Sequence, residues 1–178
     1  MANEAWLNGK LDGFAPIVMP AAHALAQAIV DLERFAAPLN YKELTARPNG
    51  APSAAFHLRH IAGSINRLLT YARREQLNAA QLDFLQAETA DDSKLNADEL
   101  TAKVVAEINN ALEIIKTVAP EILFEERFIG RRKLPTTVFG LLFHIAEHTA
   151  RHVGQIVTTA GIVRTEKQID KASAKPRI

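Results

Sequence analysis

The chain of 178 residues contains no cysteine. That single absence excludes disulfides, thiolate metal ligands, zinc knuckles and a cysteine nucleophile together. Any sulfur chemistry here needs a thiol from outside. An excess of either charge is also lacking, with 21 basic side chains against 20 acidic ones. No strong field therefore marks the protein as a binder of nucleic acid or of a membrane surface, and partners, a small-molecule substrate among them, must be argued from sites instead. No apolar run approaches the ~18 residues of a membrane span, and MANEAWLNGK is not a basic start followed by an apolar stretch. The expectation is a soluble, cytoplasmic protein.

Sustained strand alternation is missing too, whereas four long segments carry helical periodicity. The first runs from about Pro20 to Ala37, with Val18, Leu25, Ile29, Leu32 and Phe35 on one face, and Pro38 ends it. Asn40 with Glu43 reads as a capping box opening one short turn before the breaker RPNGAP. The second long helix starts near Pro52 or Ser53 and runs to about Glu75, presenting Leu58, Ile61, Ile65, Leu68, Leu69 and Ala72. Asn78 with Gln81 caps a short connecting helix, and ETADDSKLN reads as a polar loop.

Asn96 with Glu99 opens the third helix, whose Leu100, Val104, Ile108, Ala111 and Ile115 form a heptad-like stripe. In EERFIGRRKLPTT, Gly130 marks a turn between two extended pieces, a segment placed to overhang a site. The fourth helix spans Thr137 to Ala160, with Gly161 as its stop. The fold class is therefore all-α: a four-helix bundle plus short connecting helices, one domain over 1–163. Residues 164–178 form a polar tail, poorly ordered or docked on a neighbour.

Five of the six histidines fall in two apolar segments, His57 and His60 in FHLRHIAGS and His144, His148 and His152 in FHIAEHTARHVGQ. Neutral imidazole is the commonest side-chain metal ligand, and several must converge to hold an ion, so the clustering points to a metal between two helices. On the fourth helix His152 lies about 40° from the centre of the apolar face, His148 about 80° and His144 about 120°. On the second helix His57 lies about 70° from the centre and His60 about 130°, so periodicity alone favours His57. His144, Glu147 and His148 also spell H-x-x-E-H, the arrangement of inverzincin proteases. Glu147 points almost opposite the apolar centre, however, and little chain remains to supply a third ligand. A carboxylate-bridged di-iron site lacks its paired Glu-x-x-His motifs.

With these residues placed, the chain resembles the DinB-like superfamily, also described as bacillithiol transferase-like or YfiT-like metalloenzymes. The second helix matches the pattern S-x-x-x-x-L-x-H-hydrophobic at Ser53, Leu58, His60 and Ile61. The fourth matches H-x-x-x-H-x-G-Q-hydrophobic at His148, His152, Gly154, Gln155 and Ile156. The resemblance implies a bundle with a long crossover connection, assembled as a homodimer, and a divalent ion, zinc or nickel, held by His60, His148 and His152. It leaves His57, His144 and Gln155 as supporting residues or alternative ligands. Val153 stands where relatives carry arginine, which leaves Arg151 or Arg59 to supply a nearby cation.

Three protein ligands leave open positions on the ion, the mark of a catalytic metal. The activity so implied is a metal-dependent transferase that activates a low-molecular-weight thiol cosubstrate. Two alternatives stand beside it, a metal-dependent hydrolase and a non-catalytic, stress-related metal-binding dimer. No catalytic side chain is assigned from the sequence.

Overall fold

The computed structural model describes residues 4–90 and 95–173. Among the described residues six α-helices follow one another: α1 (Met19–Phe35), α2 (Tyr41–Thr45), α3 (Ala54–Ala72), α4 (Ala79–Ala87), α5 (Ala97–Thr117) and α6 (Val138–Ser173). A hairpin of β1 (Glu126–Ile129) and β2 (Leu134–Thr137) lies between α5 and α6. The local signals explain the starts. Asn40 and Asn78 each close a reciprocal capping box, with Glu43 and with Gln81. Ser53 accepts from the Phe56 amide and Asn96 from the Glu99 amide, satisfying amides that the first helical turn leaves unpaired.

The bundle is a closed ring of packed pairs, α1 on α6, α6 on α3, α3 on α5 and α5 on α1. The chain thus crosses a diagonal twice, once from α1 to α3 and once from α5 to α6, and needs the long connections that carry α2 and the hairpin. Leu25 and Leu32 of α1, Leu58, Ile61, Ile65 and Leu69 of α3, Val104, Ile108, Ala111 and Ile115 of α5, and Leu142, Ile145 and Ile156 of α6 form the core. Leu100 is only half-buried, so the α5 stripe begins one turn later than the sequence pattern.

α3 stops at Ala72, short of the expected Glu75, because Arg74 turns left-handed at φ 65°. The Glu75 amide then donates back to Thr70 O and the Arg74 amide to Tyr71 O, a Schellman closure. Gly130, at φ 67°, does turn between two extended pieces, but the hairpin they form does not overhang the histidines. Arg127, 5% exposed, donates from Nε to Ala72 O at 2.7 Å and pins the hairpin on the C-terminal end of α3. Twelve residues separate Ala72 from His60, about 18 Å of helix.

The stop at Gly161 is likewise corrected, since α6 continues to Ser173. Gly161 is not at positive φ, and no proline follows before Ser173. A lone helical glycine costs about 1 kcal/mol relative to alanine, which weakens a helix without ending it. The last residues of the expected tail, 174–178, lie outside the described residues.

Candidate metal centre

α3 and α6 pack side by side, and the histidines face one another across that seam. His60 Nε2 lies 3.3 Å from His148 Nε2, and His152 Nε2 lies 3.2 Å from the same atom. One nitrogen from each of the three falls within 4.8 Å of the others, and all three rings are half-buried. Four residues apart on α6, His148 and His152 sit one turn apart on one face. His60 meets them from α3.

The other nitrogens of two of these rings are held. His60 Nδ1 is 2.7 Å from Glu88 Oε2. A carboxylate only accepts, so Nδ1 carries the hydrogen, and in the neutral ring Nε2 keeps its lone pair. His152 Nδ1 is 2.9 Å from His57 Nδ1, and donation by His152 likewise leaves its Nε2 bare. Phe56 stacks on His60, with ring centroids 5.4 Å apart and planes 10° from parallel, and meets His57 edge-on.

Burial, and then the charge on neighbouring His60, pushes His148 down to about 4. Burial, and then the charges on His148 and His60, pushes His152 down to about 3. His57 is lowered as well, by burial first and by His60 second. At neutral pH these imidazoles are therefore uncharged and able to ligate.

This donor set fits a divalent cation. His60 Nε2 and His152 Nε2 both lie within hydrogen-bond distance of His148 Nε2, and a hydrogen on that atom serves at most one of them well, whereas a cation satisfies three nitrogens at once. The spacing agrees, because nitrogens about 2.0–2.1 Å from a tetrahedral zinc stand about 3.3 Å apart.

The remaining sequence candidates fall outside this centre. His57 is 3% exposed, as its helix angle foretold, yet its place is behind His152. The His144 side chain is 45% exposed and pairs with Glu147 Oε1 at 2.6 Å. Glu147 in turn receives both carboxylate contacts from Arg151, at 2.9 and 2.8 Å. Desolvation pushes the Glu147 carboxyl up, but hydrogen bonds and charge from His144 and Arg151 outweigh it and leave it below the usual range. The H-x-x-E-H letters thus describe a surface ion pair. Gln155 is exposed and makes no hydrogen bond to the cluster among the described residues. Its expected supporting place is taken by Glu88 and His57.

Both arginines offered as nearby cations are committed elsewhere, Arg151 to Glu147 and Arg59 to the carbonyls of Ala87 and Ala90. Sequence reasoning missed Glu88 altogether. It follows the last residue of α4, in the stretch read as a polar loop, and is 4% exposed.

A family comparison matches residues 24–156 to the DinB superfamily. The chain belongs to the DinB superfamily. The match takes in α3, α4, α5 and the histidine-bearing part of α6, so the DinB bundle and its three converging histidines coincide in one segment. Comparison with curated proteins returned no match. Among the described residues no helix is long and apolar enough to cross a membrane.

Proposed function

We propose that this DinB protein is a metal-dependent transferase that joins a low-molecular-weight thiol to a small electrophile, with His60, His148 and His152 holding a zinc or nickel ion. The observation that carries the reading is the convergence of three Nε2 atoms, with the far-side nitrogens of two of the rings held by Glu88 and His57. A divalent ion supplies Lewis acidity at such a site, lowering the pKa of a thiol or water bound beside it. The protein's own work is to keep the imidazoles of His148 and His152 neutral by burial and to fix the rotation of His60 and His152 through Glu88 and His57. Phe56 walls one side of His60. A chain without cysteine has no thiol of its own to compete for the ion.

The test is elemental analysis of untagged protein purified in metal-replete buffer, followed by turnover with a panel of thiols and electrophiles. Wild type should carry about one ion per chain and turn over only with thiol present, while His148→Ala should lose both properties. Turnover by His148→Ala and by metal-stripped wild type equal to that of the metal-loaded wild type would sink the reading. Turnover that ignores the thiol would replace it with metal-assisted hydrolysis. Metal binding that raises the melting temperature without any turnover would leave a non-catalytic binding protein.

The protein is proposed to act in the cytoplasm as a homodimer. We place the second copy on an apolar groove of about 720 Å³ between α1 and α6, lined by Ala24, Ala28, Ala150, Val153, Gly154 and Val157. Trp6, 62% exposed, stands at its wall.

A further inference from the structure

We infer that Glu88 is a positioning residue for His60, held in place by Arg67 across the surface of Gly63, so that the helix pair α3 and α6 depends on a third element for its metal geometry. The inference deepens the metal reading of the histidine centre and rests on it for its affinity readout. Glu88 reaches the centre from the connection that follows α4, 28 residues from His60 in sequence. Its two oxygens are divided, Oε2 to His60 Nδ1 at 2.7 Å and Oε1 to Arg67 Nη1 at 2.8 Å. Both Glu88 and Arg67 are buried.

A buried ion pair of this kind is a poor source of stability, because desolvating two charges costs about as much as their attraction returns. Its geometric result is more telling. Arg67 fixes one carboxylate oxygen, which leaves the other in one place, and that place sets the rotation of the His60 ring. Gly63 makes the crossing possible: a Cβ there would stand 2.6 Å from Arg67 Nη1, 2.6 Å from Glu88 Oε1 and 2.7 Å from Phe84 Cε1. At those distances the side-chain ends of Arg67, Glu88 and Phe84 would have to shift. The ion pair therefore lies against bare helix backbone, and a side chain at 63 displaces the ends of Arg67 and Glu88 that make it.

The attachment of α4 agrees. No residue of α4 is buried, and Leu82, Phe84 and Leu85 are all substantially exposed. Gln81, bonded to Asn66 and Thr70, holds its start, while its end is tied down by Glu88 and by Arg59 on the carbonyls of Ala87 and Ala90. The polar ties of this segment thus include the one that supplies the metal centre with its nearest carboxylate. A carboxylate behind a ligating histidine fixes the tautomer and makes the ring a stronger donor, and its loss weakens metal binding about 10–100-fold.

Glu88→Gln is the sharp variant. It preserves shape but offers one acceptor oxygen where His60 Nδ1–H and Arg67 Nη1–H require two. Titration of metal-free protein with Co²⁺ against a chromophoric chelator should show affinity about 10–100-fold below wild type, with an altered visible spectrum. Gly63→Ala should give the same loss without removing a polar atom. Wild-type affinity and spectrum in Glu88→Gln would overturn the inference.

A second measurement needs neither variant nor metal. Long-range ¹H–¹⁵N correlation spectra of the metal-free wild type should show His60 as the Nδ1–H tautomer, and the Nε2–H tautomer there would also overturn it. If wild type binds no Co²⁺ at all, the metal reading falls, and the tautomer spectrum still decides the role of Glu88.

Discussion

His57 Nδ1 stands 2.9 Å from His152 Nδ1, a contact that joins the most buried histidine of α3 to the candidate ligand most deeply depressed in pKa on α6. Two histidines that seemed to compete for one role thereby divide it. His60 presents Nε2 to the centre, and His57 holds the ring of His152 from behind.

Replacing His57 with alanine should therefore weaken metal binding although His57 is not proposed as a ligand. The expected loss is about 10–100-fold, read by competition with a chromophoric chelator. His144→Ala, which removes a ring paired outward to Glu147, should leave the affinity nearly unchanged. The reverse ranking would show that His144 belongs to the centre and His57 does not.

The metal-free protein should lose stability on acidification. His148 and His152 are held to about 4 and about 3 in the folded chain, whereas unfolded histidine titrates near 6.5. Between those values the unfolded state binds more protons, so their contribution is intact above about 6.5 and shrinks as pH falls toward 4. His57 adds in the same direction. Melting curves between pH 7 and 4.5 should show the difference between His152→Ala and wild type moving in the variant's favour as pH drops. A difference independent of pH would refute the depressed titration.

Arg127→Ala should separate stability from metal chemistry. The change leaves the Ala72 carbonyl at the end of α3 without its donor and removes the side chain that also contacts Glu125 and the Glu126 carbonyl. A loss of about 1–3 kcal/mol is expected in denaturant unfolding. Metal affinity should not follow, because the hairpin sits about 18 Å of helix away from His60. A large drop in affinity would mean the hairpin does reach the centre.

Gly154→Arg should test the second copy. A Cβ at Gly154 meets nothing within 4 Å, so the chain itself has room for the side chain. Light scattering after gel filtration should show the wild-type dimer and, for the variant, the 19.6 kDa of one chain. A variant that still dimerises would move the interface away from the α1–α6 groove.

Local chemistry was legible in the sequence. Asn40, Ser53, Asn78 and Asn96 cap their helices because the partner of each cap lies within its own first turn. Helix angles also ranked burial on α3 correctly, with His57 buried and the His60 side chain 23% exposed. What burial does not report is convergence: three rings meet at the edge of the apolar seam, where two helices leave a gap. The family pattern named His60 where periodicity favoured His57, and the structure brings His60, His148 and His152 together.

Glu88 was not legible, since an acidic residue in a polar run has no periodic signature and its partners, His60 and Arg67, are 28 and 21 residues away. The run of α6 past Gly161 was missed for the opposite reason, a local breaker signal overridden by helix-compatible neighbours on both sides.

Trp6 is the chain's single tryptophan, and it stands exposed against the α1–α6 groove instead of in the core. Its fluorescence is consequently a gauge of that groove. Emission from a solvated indole should change little when the bundle melts, but should shift to the blue if the proposed second chain covers the ring, so one optical signal would follow assembly while leaving folding to other probes.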